Sequence, residues 1–232
     1  METINTIIGF FQTGGLFMYP ILFILAAGIA IAIERYLFLT RVQSDVRKTW
    51  KEVVPLVQAK DYKGVVAATG KSDSALAKVL NYGFNRVFTS TRRDDIETAM
   101  EEGLMEVIPA LEKRTHYLAT FANIATLLGL LGTIIGLIQA FTAVANADPA
   151  EKANLLSASI SVAMNTTAFG LIAAIPLLLM HTQLQTKTAA LVDSLEMAAV
   201  KSLNMLMLGA AQNRAAARPA NTNGAAAKPK AG

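Results

Sequence analysis

The sequence predicts an all-α integral membrane protein: three transmembrane helices, with a charged helical region between the first two. Three observations carry this prediction. Hydrophobic residues make up 53% of the chain and charged residues only 16%, against roughly a quarter charged in an ordinary soluble domain. The charge is also unevenly placed. Residues 3–33, 117–147 and 153–186 contain no Asp, Glu, Lys or Arg, and each run exceeds the ~20 apolar residues that cross a bilayer core. Outside these runs, apolar residues recur at helical rather than strand spacing. A soluble globular enzyme is therefore set aside as the leading reading. The absence of Cys excludes disulfides, thiolate metal sites and a Cys nucleophile.

The elements follow in order. In residues 1–15, Ile4, Ile7, Ile8 and Phe11 have helical spacing ahead of Gly14 and Gly15, which predicts an amphipathic helix lying on the periplasmic interface. Residues 16–40 form the first span. It is read as retained rather than cleaved, because the charge ahead of it is Glu2 and no basic leader precedes it. Residues 41–113 form a cytoplasmic helical region. Val42, Val46, Trp50, Val53 and Val57 recur at helical intervals, as do Leu76, Val79, Leu80, Phe84 and Val87, with turn-like breaks at 61–64 and 70–73. Gly70, Lys71 and Ser72 superficially suggest a phosphate loop, but Val65 stands where that loop needs its first glycine and no strand precedes it. Between Asp94 and Arg114, Ile96, Met100, Leu104, Val107, Ile108 and Leu111 share one helical face. Glu97, Glu101, Glu102, Glu106 and Glu112 lie mainly elsewhere and have no His among them, so they read as a solvated face rather than as acid–base pairs. Residues 114–146 form the second span and 147–153 a short periplasmic turn. Residues 154–208 form the third span and its cytoplasmic extension in one helix, with Pro176 as the point where it would kink. Residues 209–232, rich in Ala, Asn, Pro and Lys without apolar periodicity, read as a disordered tail.

Basic residues set the expected orientation. Residues 34–116 carry 14 Lys and Arg and the segment after Thr186 carries 6, whereas the turn carries only Lys152 of the 21 in the chain. Positive charge is retained on the cytoplasmic side. The chain is therefore expected to be multi-pass in an inner, cytoplasmic membrane, with its N-terminus periplasmic and its C-terminus cytoplasmic.

Polar residues at membrane depth point to function. Thr126 and Thr133 are seven apart on the second span, hence on one face; the third carries Ser157, Ser161 and Asn165 at i, i+4 and i+8, then Thr166 and Thr167. Hydroxyls satisfy themselves by bonding back to the helix, but an Asn-Thr-Thr run is costly to leave facing lipid. A polar seam facing protein or water is expected. Gly129, Gly132 and Gly136 on the second span, and Ala163, Thr167, Gly170 and Ala174 on the third, make small-residue faces suited to close helix packing. None of the three spans carries an ionisable residue at depth. His116 and His181 fall near the cytoplasmic ends and are read as interfacial aromatics rather than as a relay. The chain thus either moves no protons or borrows a carboxylate from a partner.

Gly129, Leu130, Leu131, Gly132, Thr133, Ile134, Ile135, Gly136, Leu137 and Ile138, followed by Phe141, resemble the second-span signature of the MotA/TolQ/ExbB proton channel family. Thr167, Ala168, Phe169, Gly170, Leu171, Ile172, Ala173, Ala174, Ile175 and Pro176 resemble its third-span signature. One span before a large loop resembles the ExbB/TolQ branch. The resemblance implies a homopentamer around a central pore lined by the second and third spans. It implies a partner of ExbD/TolR type, with a single span bearing an aspartate, and further contact with a TonB- or TolA-like protein. Ion flow would then drive mechanical work in the envelope, with no enzymatic activity, no cofactor and no nucleic-acid partner. Thr133 and Thr167 become the pore threonines beside the partner aspartate, joined by Thr166 and Asn165, and Gly129, Gly132, Gly136, Gly170 and Pro176 pack the pore helices. Two departures stand out. Val162 occupies a position where such proteins commonly carry glutamate, and the adjacent Thr166 and Thr167 resemble sodium-driven flagellar stators. Hydroxyl and carbonyl oxygens suit a hard cation, so Na⁺ near Thr133, Thr166 and Thr167 is the alternative to H⁺, with H⁺ ahead as the commoner ion in this branch. A non-conducting scaffold, whose polar residues only join helices, is the alternative function.

Overall fold

The computed structural model describes residues 15–145 and 147–216, with side chains described to Gly209. Six helices account for nearly all of them: α1 (Met18–Gln58), α2 (Tyr62–Gly70), α3 (Ala75–Val87), α4 (Arg93–Glu112), α5 (Thr115–Ala145) and α6 (Lys152–Ala216). Three helical stretches are long and apolar enough to cross a membrane, Met18–Gln58, Arg93–Ala145 and Lys152–Gly209. The amphipathic helix expected over residues 1–15 lies almost wholly outside the described residues.

The chain divides into two compact units. The first contains the described residues up to Ser44 together with Ile108–Asp193, and the second Asp45–Val107 with the described residues from Ser194 on. Both α1 and α6 contribute to each. Helix α1 runs through residue 40 without a break: Pro20 falls in its first turn, where proline needs no amide donor, and Gly28 lies against the Leu177 side chain. It ends where Lys60 takes a left-handed backbone (φ 61°) and the Asp61 amide bonds back to the Leu56 carbonyl at 3.0 Å. The Asp61 carboxylate then caps α2, accepting from the Gly64 amide at 2.9 Å. Helix α6 runs on to Ala216, past the position where the tail was expected to begin. Ala210, Ala211, Ala215 and Ala216 are strong helix formers. The rest of that expected tail, residues 217–232, lies outside the described residues.

The first unit is held by α1, the end of α4, α5 and α6. Met18, Ile21, Leu39, Leu118, Ala125, Ala173 and Leu177 are fully buried there. Much of its remaining apolar surface is exposed, including Phe23, Leu127, Ile134, Phe141, Ile172 and Leu179. Such faces require lipid or further protein around them. Among the described residues Arg35 is the one buried charged side chain. It donates to the Leu111 carbonyl and, at 3.5 Å, to the Ala110 carbonyl, in the last turn of α4, where helix carbonyls lack intrahelical partners. Its guanidinium also lies 4.6 Å from the Phe38 ring centre.

The second unit has a core of Val53, Val57, Val65, Leu76, Val79, Leu80, Phe84, Ile96, Leu203 and Leu206. These include the apolar positions whose helical spacing is visible in the sequence. A Cβ at Gly103 would lie 2.9 Å from the Val79 Cα, so α3 and α4 meet at backbone distance there.

Candidate functional site

The site is built by glycines that let α5 and α6 touch. A Cβ at Gly170 would fall 2.8 Å from the Ala125 carbonyl oxygen and 3.0 Å from the Gly129 Cα. One at Gly129 would fall 3.2 Å from the Gly170 Cα and 3.3 Å from the Thr167 Cα, and one at Gly136 2.9 Å from the Ala163 Cβ. Close approach of this kind needs small residues on both partners.

That approach brings two threonines together. The Thr133 and Thr167 hydroxyls are hydrogen-bonded to each other across the two helices. Both also reach the Gly129 carbonyl, Thr167 at 3.0 Å and Thr133 at 3.2 Å; the Ala163 carbonyl lies 3.5 Å from the Thr133 hydroxyl. Both side chains are half-buried. The result is a cluster of two hydroxyl oxygens around one shared carbonyl in an apolar wall. Hydroxyls both donate and accept, so such a cluster can bond a carboxylate or contribute oxygens to a hard cation.

The other sequence-predicted site residues lie elsewhere. Thr166 is buried, its hydroxyl donating to the Val162 carbonyl at 2.9 Å. Its methyl side fills the space over Gly132, with Phe17 beyond. Asn165 is half-buried, and Ser157 and Ser161 are exposed. Successive helical residues turn by about 100°, so Asn165 and Thr167 face roughly opposite ways. The expected single seam is therefore two separate faces: the paired threonines on one, and Ser157, Ser161 and Asn165 on another. Thr126 is exposed and bonds back to the Ala122 carbonyl at 3.0 Å. Pro176 lies inside α6 without ending it, beside Leu177, whose side chain covers Gly28. Sequence reasoning missed Arg35 as a structural residue. The available signal was a Glu-Arg pair immediately after the first charge-free run.

The fold and site define a multi-pass helical membrane protein with a hydroxyl pair between its second and third spans. Residues 71–197 match the MotA/TolQ/ExbB proton channel family, and the chain belongs to that family. Its relatives place it in the ExbB/TolQ branch and, with its three apolar helices, in the inner membrane. An ExbB homologue for biopolymer transport from Methanothermobacter thermautotrophicus is 26% identical over 83% of this chain and 68% of its own length. The biopolymer transport protein ExbB of Salmonella typhimurium is 27% identical over 58% of this chain and 59% of its own. The solved structure of C. jejuni MotAB shares the fold, with a TM-score of 0.56 and 15% identity, covering 89% of this chain and 86% of that one.

Proposed function

We propose that this chain is the channel-forming subunit of an inner-membrane motor, converting a transmembrane ion gradient into mechanical work in the envelope. The observation that carries the reading is the hydrogen-bonded pair Thr133 and Thr167 at the closest approach of α5 and α6. This pair offers oxygens to an ion while supplying no charge. The missing charge belongs to a single-span partner of ExbD/TolR type, whose transmembrane aspartate would lie against the pair. Five copies of the chain around a pore would cover the apolar faces that one copy leaves exposed. The asymmetry of Lys and Arg supports a periplasmic N-terminus and a cytoplasmic second unit. One charge crossing ~150 mV releases roughly 3.5 kcal/mol, enough to bias a conformational step. H⁺ is the ion favoured by family membership, with Na⁺ as the alternative; a TonB- or TolA-like protein would receive the work.

The test is co-purification followed by flux. A partner with one span and one transmembrane aspartate should accompany the chain, and Asp→Asn in that partner should abolish flux in reconstituted vesicles. Unchanged energised activity after that substitution would favour a non-conducting scaffold. Internal pH and ²²Na⁺ uptake, read separately, identify the ion.

A further inference from the structure

Residues 32–37 of α1 and 180–187 of α6, both in the first unit, border an open groove of about 280 Å³. Its floor, Ala32 and Leu184, is buried, whereas Ile33 and Leu37 on its rim are 56% and 63% exposed. The groove sits at a definite level of the spans. The charge-free run of the first span ends at Ile33 and that of the third at Thr186. Both helices therefore regain charge beside this groove, at the Lys- and Arg-rich end. Tyr36, exposed on the same rim, is a side chain favoured at a membrane–water interface.

Lys187 closes the polar end of the groove. Its ammonium donates to the Thr40 hydroxyl at 2.6 Å and lies 4.1 Å from the centre of the Tyr36 ring. The Thr40 hydroxyl in turn donates to the Tyr36 carbonyl at 2.7 Å. A hydroxyl and a ring fix the position of an ammonium without neutralising it, and protons remain for a further acceptor. Arg41 lies one turn beyond the groove-lining Leu37, hence on the same face of α1, and is exposed. Among the described residues neither Lys187 nor Arg41 takes part in an ion pair. The carboxylates that flank them in sequence are engaged, Glu34 with Arg114 at 3.0 Å and Asp45 with Lys48 at 3.9 Å.

We propose that this groove holds one anionic phospholipid of the surrounding bilayer, its phosphate at Lys187 and Arg41 and the start of an acyl chain along Ile33, Leu37 and Met180. The proposal needs the helices to cross a bilayer and does not need the conducting function. An apolar lining accepts any lipid, so the lining does not select. The two unpaired cations do. Basic sites between spans at their positively charged end favour anionic headgroups, by about fivefold in affinity for each cation near the surface. Gln183, exposed on the same rim, adds an amide donor. From Met180 to Lys187 the groove extends about 10 Å along α6, which suits a phosphate and the first stretch of a chain rather than a whole lipid.

The test uses the full-length chain with its co-purified partner, delipidated in neutral detergent. Phosphatidylglycerol or phosphatidylcholine is titrated in while native mass spectrometry counts the lipids retained. The wild type should retain phosphatidylglycerol roughly twentyfold better than phosphatidylcholine, and Lys187→Gln and Arg41→Gln should each lower that preference about fivefold. Lys187→Arg should keep it. Arg41 is exposed and unpaired, so its variant tests the site even where Lys187→Gln fails to assemble. Leu37→Trp fills the groove and should reduce retention of both lipids. No preference in the wild type, or the same fivefold fall in Lys152→Gln at the opposite end of the spans, would reduce the effect to general charge attraction and overturn the site. Displacement of phosphatidylglycerol by inorganic phosphate would show that the acyl chain takes no part, and would overturn it too. If Leu37→Trp instead splits the complex with lipid preference unchanged, the groove is a contact between copies and the proposal fails. Wild-type vesicles without ion flux would contradict the conducting function alone, because lipid retention is read without it.

Discussion

Thr133 and Thr167 share a hydrogen bond across α5 and α6 and converge on one backbone carbonyl, that of Gly129. The arrangement depends on Gly129 and Gly170, whose missing side chains let the helix backbones meet. Neither the hydroxyl pair nor the glycine contact is useful without the other. Packing sets the distance, and the hydroxyls give the resulting surface its polarity in an apolar wall.

The packing half of this relationship predicts unequal glycine substitutions. Gly170→Ala places a methyl 2.8 Å from a backbone oxygen, which cannot yield without separating the helices, at a cost of about 1–3 kcal/mol. Gly28→Ala meets only the Leu177 side chain at 2.6 Å, which can rotate away. Thermal melts in detergent should show the larger drop for Gly170→Ala.

Adjacent threonines should behave differently. Thr166→Val keeps the shape of a buried residue whose hydroxyl bonds back to its own helix, so assembly and flux should stay within about twofold of wild type. Thr167→Val removes a hydroxyl from the inter-helix cluster and should abolish flux. Parallel flux measurements on the two variants check this, and equal losses would show that both belong to the ion path.

The ion pair and the buried cation near the end of α4 also separate. Arg35→Met leaves the Ala110 and Leu111 carbonyls without their donor and should cost about 1–3 kcal/mol. Glu34→Gln weakens a half-exposed pair with Arg114 and should cost no more than about 1 kcal/mol. Denaturation in mixed micelles compares the two directly.

In the second unit the Tyr82 phenol donates to the Glu106 carboxylate at 2.8 Å. That hydrogen bond, and then the negative charge itself, hold the phenol protonated and raise its pKa. The contribution to stability is present at neutral pH and is lost as pH rises through the raised value, above the ordinary ~10. Absorbance titration at 295 nm, with Tyr82→Phe as the reference, should show a late-titrating tyrosine that returns toward ~10 in Glu106→Gln.

The helices were legible because they depend on local signals: charge-free runs, spacing, and small residues at regular intervals; Thr133 and Thr167 were singled out together only through the family resemblance. The sequence could not show which helical face meets which. Asn165, Thr166 and Thr167 are consecutive, and only the position of α5 decides that Thr167 meets Thr133 while Thr166 covers Gly132. Arg35 was visible as the first basic residue, but its carbonyl partners lie 75 and 76 residues away.

The central claim is that the paired hydroxyls lie on the ion path. Its most direct test is ion flux in vesicles containing the chain and its co-purified partner, comparing Thr167→Ser with Thr167→Ala. Serine keeps the hydroxyl and should retain most of the flux. Alanine should abolish it while the complex still assembles at wild-type size. Equal flux through the two variants would contradict the claim.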